Sequence, residues 1–240
     1  MLCHTGLVWS SVVDGRLLTF ELVGVNNQNF VMRDQQTGTW WQQVTGEALV
    51  GPLQGKRLEP VVFDEVSLQI WQGENPGSLV FEPIPGHADD YMDEDWDDGM
   101  NYPVPAGITP DGEWEPRRLI VGIEAGEISK AYPMDVLQAQ TPVTDQVGDV
   151  PVLIAVAGDG RSVRAFDRRV NDLMLEMYAK PDVSPPVFID AQTGSEWNFA
   201  GVATSGELAG AELQRVVPLK DYWFDWKNYH PDTFVYLGGQ

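Results

Sequence analysis

The chain of 240 residues is poor in cysteine and in basic side chains. Cys3 is its only cysteine, so no intrachain disulfide forms, and the disulfide-stapled framework of small secreted domains is excluded. Lys and Arg number 15 against 36 Asp and Glu, which gives a formal net charge of −21. Because nucleic-acid binding depends on clustered basic side chains, the sequence predicts no nucleic-acid partner.

Long apolar runs and familiar catalytic motifs are also missing. No run of about 18 apolar residues is present, so the sequence predicts a soluble chain without a transmembrane segment. Neither Gly-x-Ser-x-Gly nor His-Glu-x-x-His occurs, and there are only three histidines. These absences argue against the common hydrolases and favour a protein that is not an enzyme, although carboxylates for acid–base chemistry are plentiful.

The most informative feature that is present is an internal repeat. Residues 34–81 recur as residues 190–236, with Asp-x-Gln-Thr-Gly at the start of both segments and a Trp and a Pro at matching positions near their ends. Both segments are rich in β-forming residues separated by glycine turns, and each closes with a short helix, a proline and a strand. We therefore predict an α+β fold, predominantly antiparallel β, built from two duplicated modules with short helices.

The repeat also predicts the domain boundaries. Residues 1–82 form the first module, residues 118–240 form the second, and the acidic, Pro/Gly-rich residues 83–117 form a linker or long loop. The second module begins with a leader of about forty residues, predicted as a strand hairpin, a short helix and a further strand, which the first module lacks. We expect this leader to complete the sheet of the first module.

Several short motifs resemble one known family. They are Gly-Ile-Glu-Ala-Gly-Glu-Ile-Ser-Lys-Ala-Tyr-Pro, Val-Gly-Asp-Val-Pro, Phe-Asp-Arg-Arg, Asp-Gln-Gln-Thr-Gly and Thr-Gly-Glu-Ala, at residues 122–133, 147–151, 166–169, 34–38 and 45–48. Together they resemble the uncharacterised family catalogued as domain of unknown function 3179, over nearly the whole chain apart from the acidic linker. That family has no established reaction, so the resemblance implies no activity and no functional residues.

The resemblance does imply something about the N-terminal end. The family pattern places a Cys-x-x-Cys pair after the strand that corresponds to residues 152–156, and Cys3 matches its second cysteine in the first module. The first cysteine would lie upstream of Met1, and the second module has Ala157 and Gly160 at these positions. We therefore expect the chain to start inside its first module, in which case a cell-envelope or extracytoplasmic location is open; the residues alone assign no compartment.

Cys3 and His4 are the first candidate site, because a thiolate and an imidazole both bind transition metals such as Zn or Cu. Two adjacent residues do not complete a metal site, and the alternative is a reduced cysteine at a frayed terminus. Further ligand-binding candidates come from the first module, where Asn29, Arg33 and Glu47 have no counterpart in the second. Trp41 is a candidate aromatic wall for a ligand, or else a core residue shared by both modules.

Three functions follow from these candidates. The leading prediction is a module that binds a metal or a small ligand, with the site near Cys3 and His4. The first alternative is a thiol-dependent oxidoreductase that uses a Cys-x-x-Cys pair completed upstream of Met1. The second is a purely structural or interaction domain, whose protein partner the sequence does not identify.

Overall fold

The computed structural model describes residues 5–87, 90–91, 114–181, 183 and 187–239. Cys3, His4 and residues 92–113 of the predicted linker therefore lie outside the described residues. Within the described part, the chain forms twenty strands and three short helices, and the strand pairs are antiparallel with one exception. This confirms the prediction of a β-rich, mostly antiparallel protein. No helix in these ranges has the length and apolarity needed to cross a membrane.

The strands and helices are named in chain order. The strands that precede residue 90 are β1 (Val12–Val13), β2 (Arg16–Leu17), β3 (Phe20–Asn26), β4 (Asn29–Asp34), β5 (Trp40–Gln42) and β6 (Ala48–Val50). Those that follow are β7 (Leu119–Ala125), β8 (Ile128–Pro133), β9 (Val143–Val147), β10 (Val150–Val156), β11 (Val163–Asp167), β12 (Arg169–Val170), β13 (Leu173–Met174), β14 (Met177–Ala179), β15 (Val187–Asp190), β16 (Glu196–Asn198), β17 (Ala203–Ser205), β18 (Arg215–Val216), β19 (Leu219–Tyr222) and β20 (Phe234–Val235). The helices are α1 (Leu68–Glu74), α2 (Met134–Gln140) and α3 (Trp223–Tyr229).

Two of the sheets are four-stranded meanders. β3 to β6 form one in sequential order, and β14 to β17 form the other. Each meander follows a two-stranded hairpin, β1–β2 or β12–β13, whose tight turn places Asp14 or Asn171 in the left-handed conformation. Asp and Asn are among the few residues with a side chain that tolerate this conformation, so the turn sequences suit the hairpins.

The other two four-stranded sheets contain the predicted leader. β9, β10, β11 and β18 form one of them, and β7 and β8 form the centre of the other, between β19 and β20. β7 pairs with β19 in antiparallel orientation, and β8 pairs with β20 in parallel. The expectation that the leader hairpin completes the sheet of the first module is therefore wrong, because its two partners come from the C-terminal part of the chain.

A glycine in β7 determines where α3 lies. A Cβ at Gly122 would come closer than 3.0 Å to three ring atoms of Trp226, so only glycine permits the helix to pack this closely on the strand. The indole Nε1 of Trp226 donates to Thr233 Oγ1 at 3.0 Å, which fixes the ring. Ile120, Leu219 and Trp223 complete the apolar cluster around it.

The first half of the chain, before residue 92, packs into the core of the second half, which begins at residue 114. Trp41 is fully buried in the core of the first half and Trp197 in that of the second. Val66, just before α1, and Ile70, within α1, pack against the core of the second half, although they precede it in sequence by about a hundred residues. The guanidinium of Arg164, only 3% exposed, pairs with Asp64, which precedes α1, and with Glu74, its last residue. These contacts join the halves by both apolar packing and charge.

The helices before proline were predicted correctly, but their following strands differ. Asn75 and His230 end α1 and α3, and a proline follows each. After α3 the predicted strand forms as β20. After α1 the predicted strand at residues 78–81 pairs with no strand of the described residues, and its side chains are exposed.

Candidate functional site

Trp41, the predicted aromatic wall, lies in the core and is hydrogen-bonded to the Asp-x-Gln-Thr-Gly turn. Its indole Nε1 donates to Asp34 Oδ2 at 2.9 Å, and Trp197 donates to Asp190 Oδ2 at the same distance. The hydroxyl of Thr37 also donates to Asp34, as that of Thr193 does to Asp190. Burial raises the pKa of both carboxyls, but the hydrogen bonds from these Trp and Thr residues outweigh it and leave both pKa values below the ordinary range.

Asn29 is fully buried and connects the β3–β4 hairpin to α3. Its amide Nδ2 lies 2.9 and 2.8 Å from the two carboxylate oxygens of Asp225, and its Oδ1 accepts from the Thr5 hydroxyl at 3.1 Å. The hydroxyl of Tyr229 reaches the carbonyl oxygen of Asn26 at 3.3 Å. The side chain selected from the sequence as a possible ligand contact thus also makes a buried polar contact between the two halves.

The carboxyl of Asp225 titrates unusually in this position. Burial raises its pKa to about 6, against the lowering effect of hydrogen bonds from Asn29 and Asp221. A carboxyl whose folded pKa exceeds its unfolded pKa stabilises the fold fully below the unfolded value, and this contribution is lost as the pH rises through the folded value. The contribution of Asp225 is therefore present below about pH 4 and lost as the pH rises past about 6.

We expect Asp225→Asn to gain stability relative to the native chain as the pH rises from 4 to 7. The neutral amide occupies the same space without the cost of burying a charge, and this difference grows as the native carboxyl ionises. Urea unfolding at pH 4, 5, 6 and 7 measures it. Asp232→Asn, at an exposed position of the same C-terminal segment, is the control and should show no such trend. Parallel profiles for native and Asp225→Asn protein would contradict the expectation.

Arg33 and Glu47, the remaining ligand-binding candidates, lie at the surface. The Arg33 guanidinium pairs with Glu21 at 3.6 Å across β3 and β4, and both side chains are about half exposed. Glu47 is exposed and forms a backbone bridge with Arg57. A cavity elsewhere in the described part of the chain is lined by none of Arg33, Glu47, Asn29 and Trp41.

That cavity lies between the two halves of the chain and has a volume of about 350 Å³. A volume of this size is at the lower end of the range for small-molecule pockets. Its walls are predominantly apolar and come from both halves. The lining residues are Leu7, Trp9, Val44, Arg57 and Pro60 from the first, and Gly122, Glu124, Val150, Arg215, Val216, Val217, Leu219 and Trp226 from the second.

Two tryptophans supply flat walls of this cavity, and both are fixed by hydrogen bonds. Trp9 Nε1 donates to the carbonyl oxygen of Gln43 at 2.8 Å, and its ring packs so closely on Gly46 that a Cβ there would lie 3.0 Å from it. Trp226 stacks on the imidazole of His230 with ring centroids 3.8 Å apart. The aromatic surfaces are thus held in place before any ligand enters.

Three charged residues, Arg57, Glu124 and Arg215, line the cavity. His230 Nε2 lies 3.6 Å from Glu124 Oε1, and Arg215 pairs with Asp64. Arg57 donates through Nε to the carbonyl of Thr45 at 2.8 Å, and among the described residues it forms no ion pair. Burial lowers the pKa of His230, with Glu124 raising it and Arg57 lowering it further. Neutral imidazole is therefore favoured near pH 7, and the charge of Arg57 remains available to a ligand.

Sequence reasoning missed this site. Its charged residues are separated by dozens of positions and belong to no recognisable motif, so no spacing pattern indicates them. Within the described ranges, no group of three or more His, Cys, Asp and Glu side chains could hold a metal ion. Since Cys3 and His4 lie outside those ranges, the predicted metal site there stays a prediction.

Comparison with models of protein families gives a match over most of the chain. The family model described as "Protein of unknown function (DUF3179)" matches residues 1–233, which is almost the full length. No curated protein and no solved structure matches the chain.

Proposed function

The chain belongs to the DUF3179 family, and we propose that this member consists of two copies of one module that together bind a small organic anion in the cavity between them. The observation that carries the proposal is Arg57, a cation without an ion pair among the described residues, at a cavity walled by Trp9 and Trp226. Leu7, four residues after Cys3, lines the same cavity, so the ligand site of this proposal remains close to the N-terminal end of the first module.

The matching contacts of the two halves support the duplication. The Asp–Thr–Trp hydrogen bonds of the first meander return in the second, with the indole to carboxylate distance at 2.9 Å in both. The helices α1 and α3 end in nearly the same backbone conformation, with φ and ψ of −122° and 65° at Asn75 and −126° and 66° at His230. Agreement in both turn chemistry and helix termination is what two copies of one module are expected to show.

The lining of the cavity supports the class of ligand. Indole rings favour a flat apolar or aromatic body, because aromatic pairs gain energy beyond the area that they bury. Arginine presents a planar fork of donors that matches a carboxylate or another oxyanion. In a chain with a formal net charge of −21, most of the surface repels anions. An arginine at the cavity therefore gives an anion one favourable place to bind.

We expect Arg57→Gln to weaken anion binding about tenfold or more, since a hydrogen bond to a charged group contributes about 1.5–3 kcal/mol. The probe is 8-anilinonaphthalene-1-sulfonate, an aromatic anion whose fluorescence rises in apolar surroundings, titrated against native protein and variants. Lys56→Gln is the matched control, because Lys56 is the neighbouring cation, pairs with Asp14 on the surface and does not line the cavity. Equal affinities of the two variants, or no saturable binding by native protein, would refute the proposal.

The charge requirement has its own test in competition. Benzoate and benzamide have the same ring and nearly the same shape, and only benzoate carries a negative charge at pH 7. We expect benzoate to displace the probe at lower concentration than benzamide, and we expect this preference to disappear in Arg57→Gln. A preference that survives in the variant would show that another group selects the anion.

The oxidoreductase alternative depends on a cysteine pair that lies outside the described residues, so it stays a prediction. The interaction-domain alternative concerns a different part of the molecule.

A further inference from the structure

The segment that contains α1 and the one that contains α3 have the same local structure. The backbone N–H of Asn75 donates to the carbonyl of Trp71, and that of His230 donates to the carbonyl of Trp226, both at 2.9 Å. The turn that follows is also shared, with N–H donors at Ser78 and Thr233 reaching the carbonyls of those two cap residues at 3.1 and 3.0 Å. The chain therefore leaves both helices in the same direction relative to the helix.

The environments of the two segments differ sharply. Trp223, Phe224, Asp225 and Trp226 of α3 are buried, whereas no residue of α1 is. Trp71, which matches Trp226 in sequence, is 36% exposed. Leu68 and Trp71 of α1 are thus 52% and 36% exposed, and exposed apolar patches mark surfaces that other molecules cover.

The strand after each helix shows the same contrast. β20 pairs with β8, and the ring of Tyr236 just beyond it lies 5.3 Å from that of Tyr132. The matching residues after α1, Leu79 and Phe81, are 94% and 101% exposed. No strand of the described residues pairs with residues 79–81, and an extended apolar segment of this kind is a template for pairing with another strand.

The cover of α3 and β20 is the hairpin β7–β8. Trp226 packs on Gly122 of its first strand, and its second strand pairs in parallel with β20. No hairpin of the described residues lies in this position against α1. The hairpin that covers α3 and β20 thus indicates the shape and chemistry of a partner that would fit α1 and residues 79–81.

We propose that α1 and residues 79–81 form a docking site for a β-hairpin of another polypeptide segment, similar in sequence to β7–β8. One strand of that hairpin presents a glycine to Trp71, and the other pairs in parallel with residues 79–81. This is strand addition combined with packing on a helix, a recognised mode of peptide binding. The proposal rests on the equivalence of the two modules but not on the ligand cavity.

A second copy of this chain does not meet the requirement. Its own β7–β8 hairpin already pairs with β19 on one side and β20 on the other, and Gly122 is already covered by Trp226. Releasing the hairpin from its own chain would expose the apolar cluster around Trp226 while it buried the apolar side chains of the partner's α1. The partner is therefore a hairpin that is not already paired in this way.

The test uses a fluorescein-labelled synthetic peptide with the sequence of residues 117–133, which spans β7 and β8. Added to the native chain, it should raise fluorescence anisotropy along a saturable curve. The control peptide carries Gly122→Val, whose side chain would overlap an indole ring placed as Trp226 is. We expect the control to lose about tenfold or more in affinity, equivalent to about 1.4 kcal/mol.

Two protein variants check that the peptide binds at α1. Phe81 matches Tyr236, whose ring packs against Tyr132 of β8. Leu79 matches Phe234, which is 59% exposed even though its strand is paired. Phe81→Asp should therefore weaken binding of the native-sequence peptide about tenfold, and Leu79→Asp should change it little. Both side chains are exposed in the free chain, so both variants should fold.

Three outcomes would overturn the proposal: no saturable binding of the native-sequence peptide, equal binding of the two peptides, or equal loss in the two protein variants. The last would also arise if the peptide replaced the chain's own β7–β8 hairpin. Binding of 8-anilinonaphthalene-1-sulfonate to Phe81→Asp should remain native, which separates failure of this docking site from failure of the ligand cavity.

Discussion

Gly122→Val is expected to destabilise the protein by about 3 kcal/mol or more, the upper end of the effect of overpacking a well-filled core. The new side chain would overlap the ring of Trp226, which is 1% exposed. The ring has little room to move, because its Nε1 is hydrogen-bonded to Thr233 and its face is stacked on His230. Relief requires α3 to move away from β7, which exposes the apolar cluster between them.

Urea unfolding at pH 7 measures this effect, and Gly24→Val is the matched control. Gly24 also lies in a strand with an ordinary backbone conformation, and a Cβ there would meet no atom within 4 Å. The control variant should differ from the native chain by less than about 1 kcal/mol, since valine suits strands and the site is open. Similar losses in the two variants would mean that the packing of Trp226 on β7 contributes little to stability.

Asp190→Ala is expected to cost about 3 kcal/mol or more, because several buried donors lose their acceptor at once and each costs about 1–3 kcal/mol. The donors are the indole N–H of Trp197 and the backbone N–H groups of Thr193 and Ser195. Asp34→Ala should have a comparable effect through the same hydrogen bonds in the first meander. Asp172→Ala, at an exposed position, is the control.

The stability lost in Asp190→Ala should depend on pH. The pKa of Asp190 is lowered in the folded protein, so its contribution is present above the ordinary carboxyl pKa and lost as the pH falls through the folded value. The difference in unfolding free energy between native protein and Asp190→Ala should therefore be large at pH 7 and should shrink below about pH 4. A difference that stays constant down to pH 3 would mean that the loss comes from packing and not from the carboxylate.

Local chemistry could be predicted from the sequence, since it depends on neighbouring residues. The Asp-x-Gln-Thr-Gly turns, the helices that end before proline, and strands such as β7, β8 and β10 all follow from short patterns. The partners of the β7–β8 hairpin could not be predicted in this way, because strand order in a sheet depends on tertiary packing, which periodicity does not encode. That is why the leader hairpin was wrongly expected to complete the sheet of the first module.

The residues of the candidate site could not be predicted either, because their contacts join distant parts of the chain. Asn29 was selected because the first module alone carries it, but its buried partner Asp225 lies 196 positions away, and no pattern relates the two. Arg57, Glu124 and His230 are also far apart in sequence, and Arg57 comes close to the other two only through the packing of the halves. Each looks like an ordinary surface residue in the sequence, and its exposure, charge partner and neighbours become known only from the fold.

The contacts between the halves have a consequence for cooperativity. Ile70 completes the core of the second half, and Asp225 of the second half meets Asn29 of the first. Loss of either half would therefore leave an apolar or a polar gap in the other. This favours unfolding of the two halves as one cooperative unit over stepwise unfolding of each half by itself.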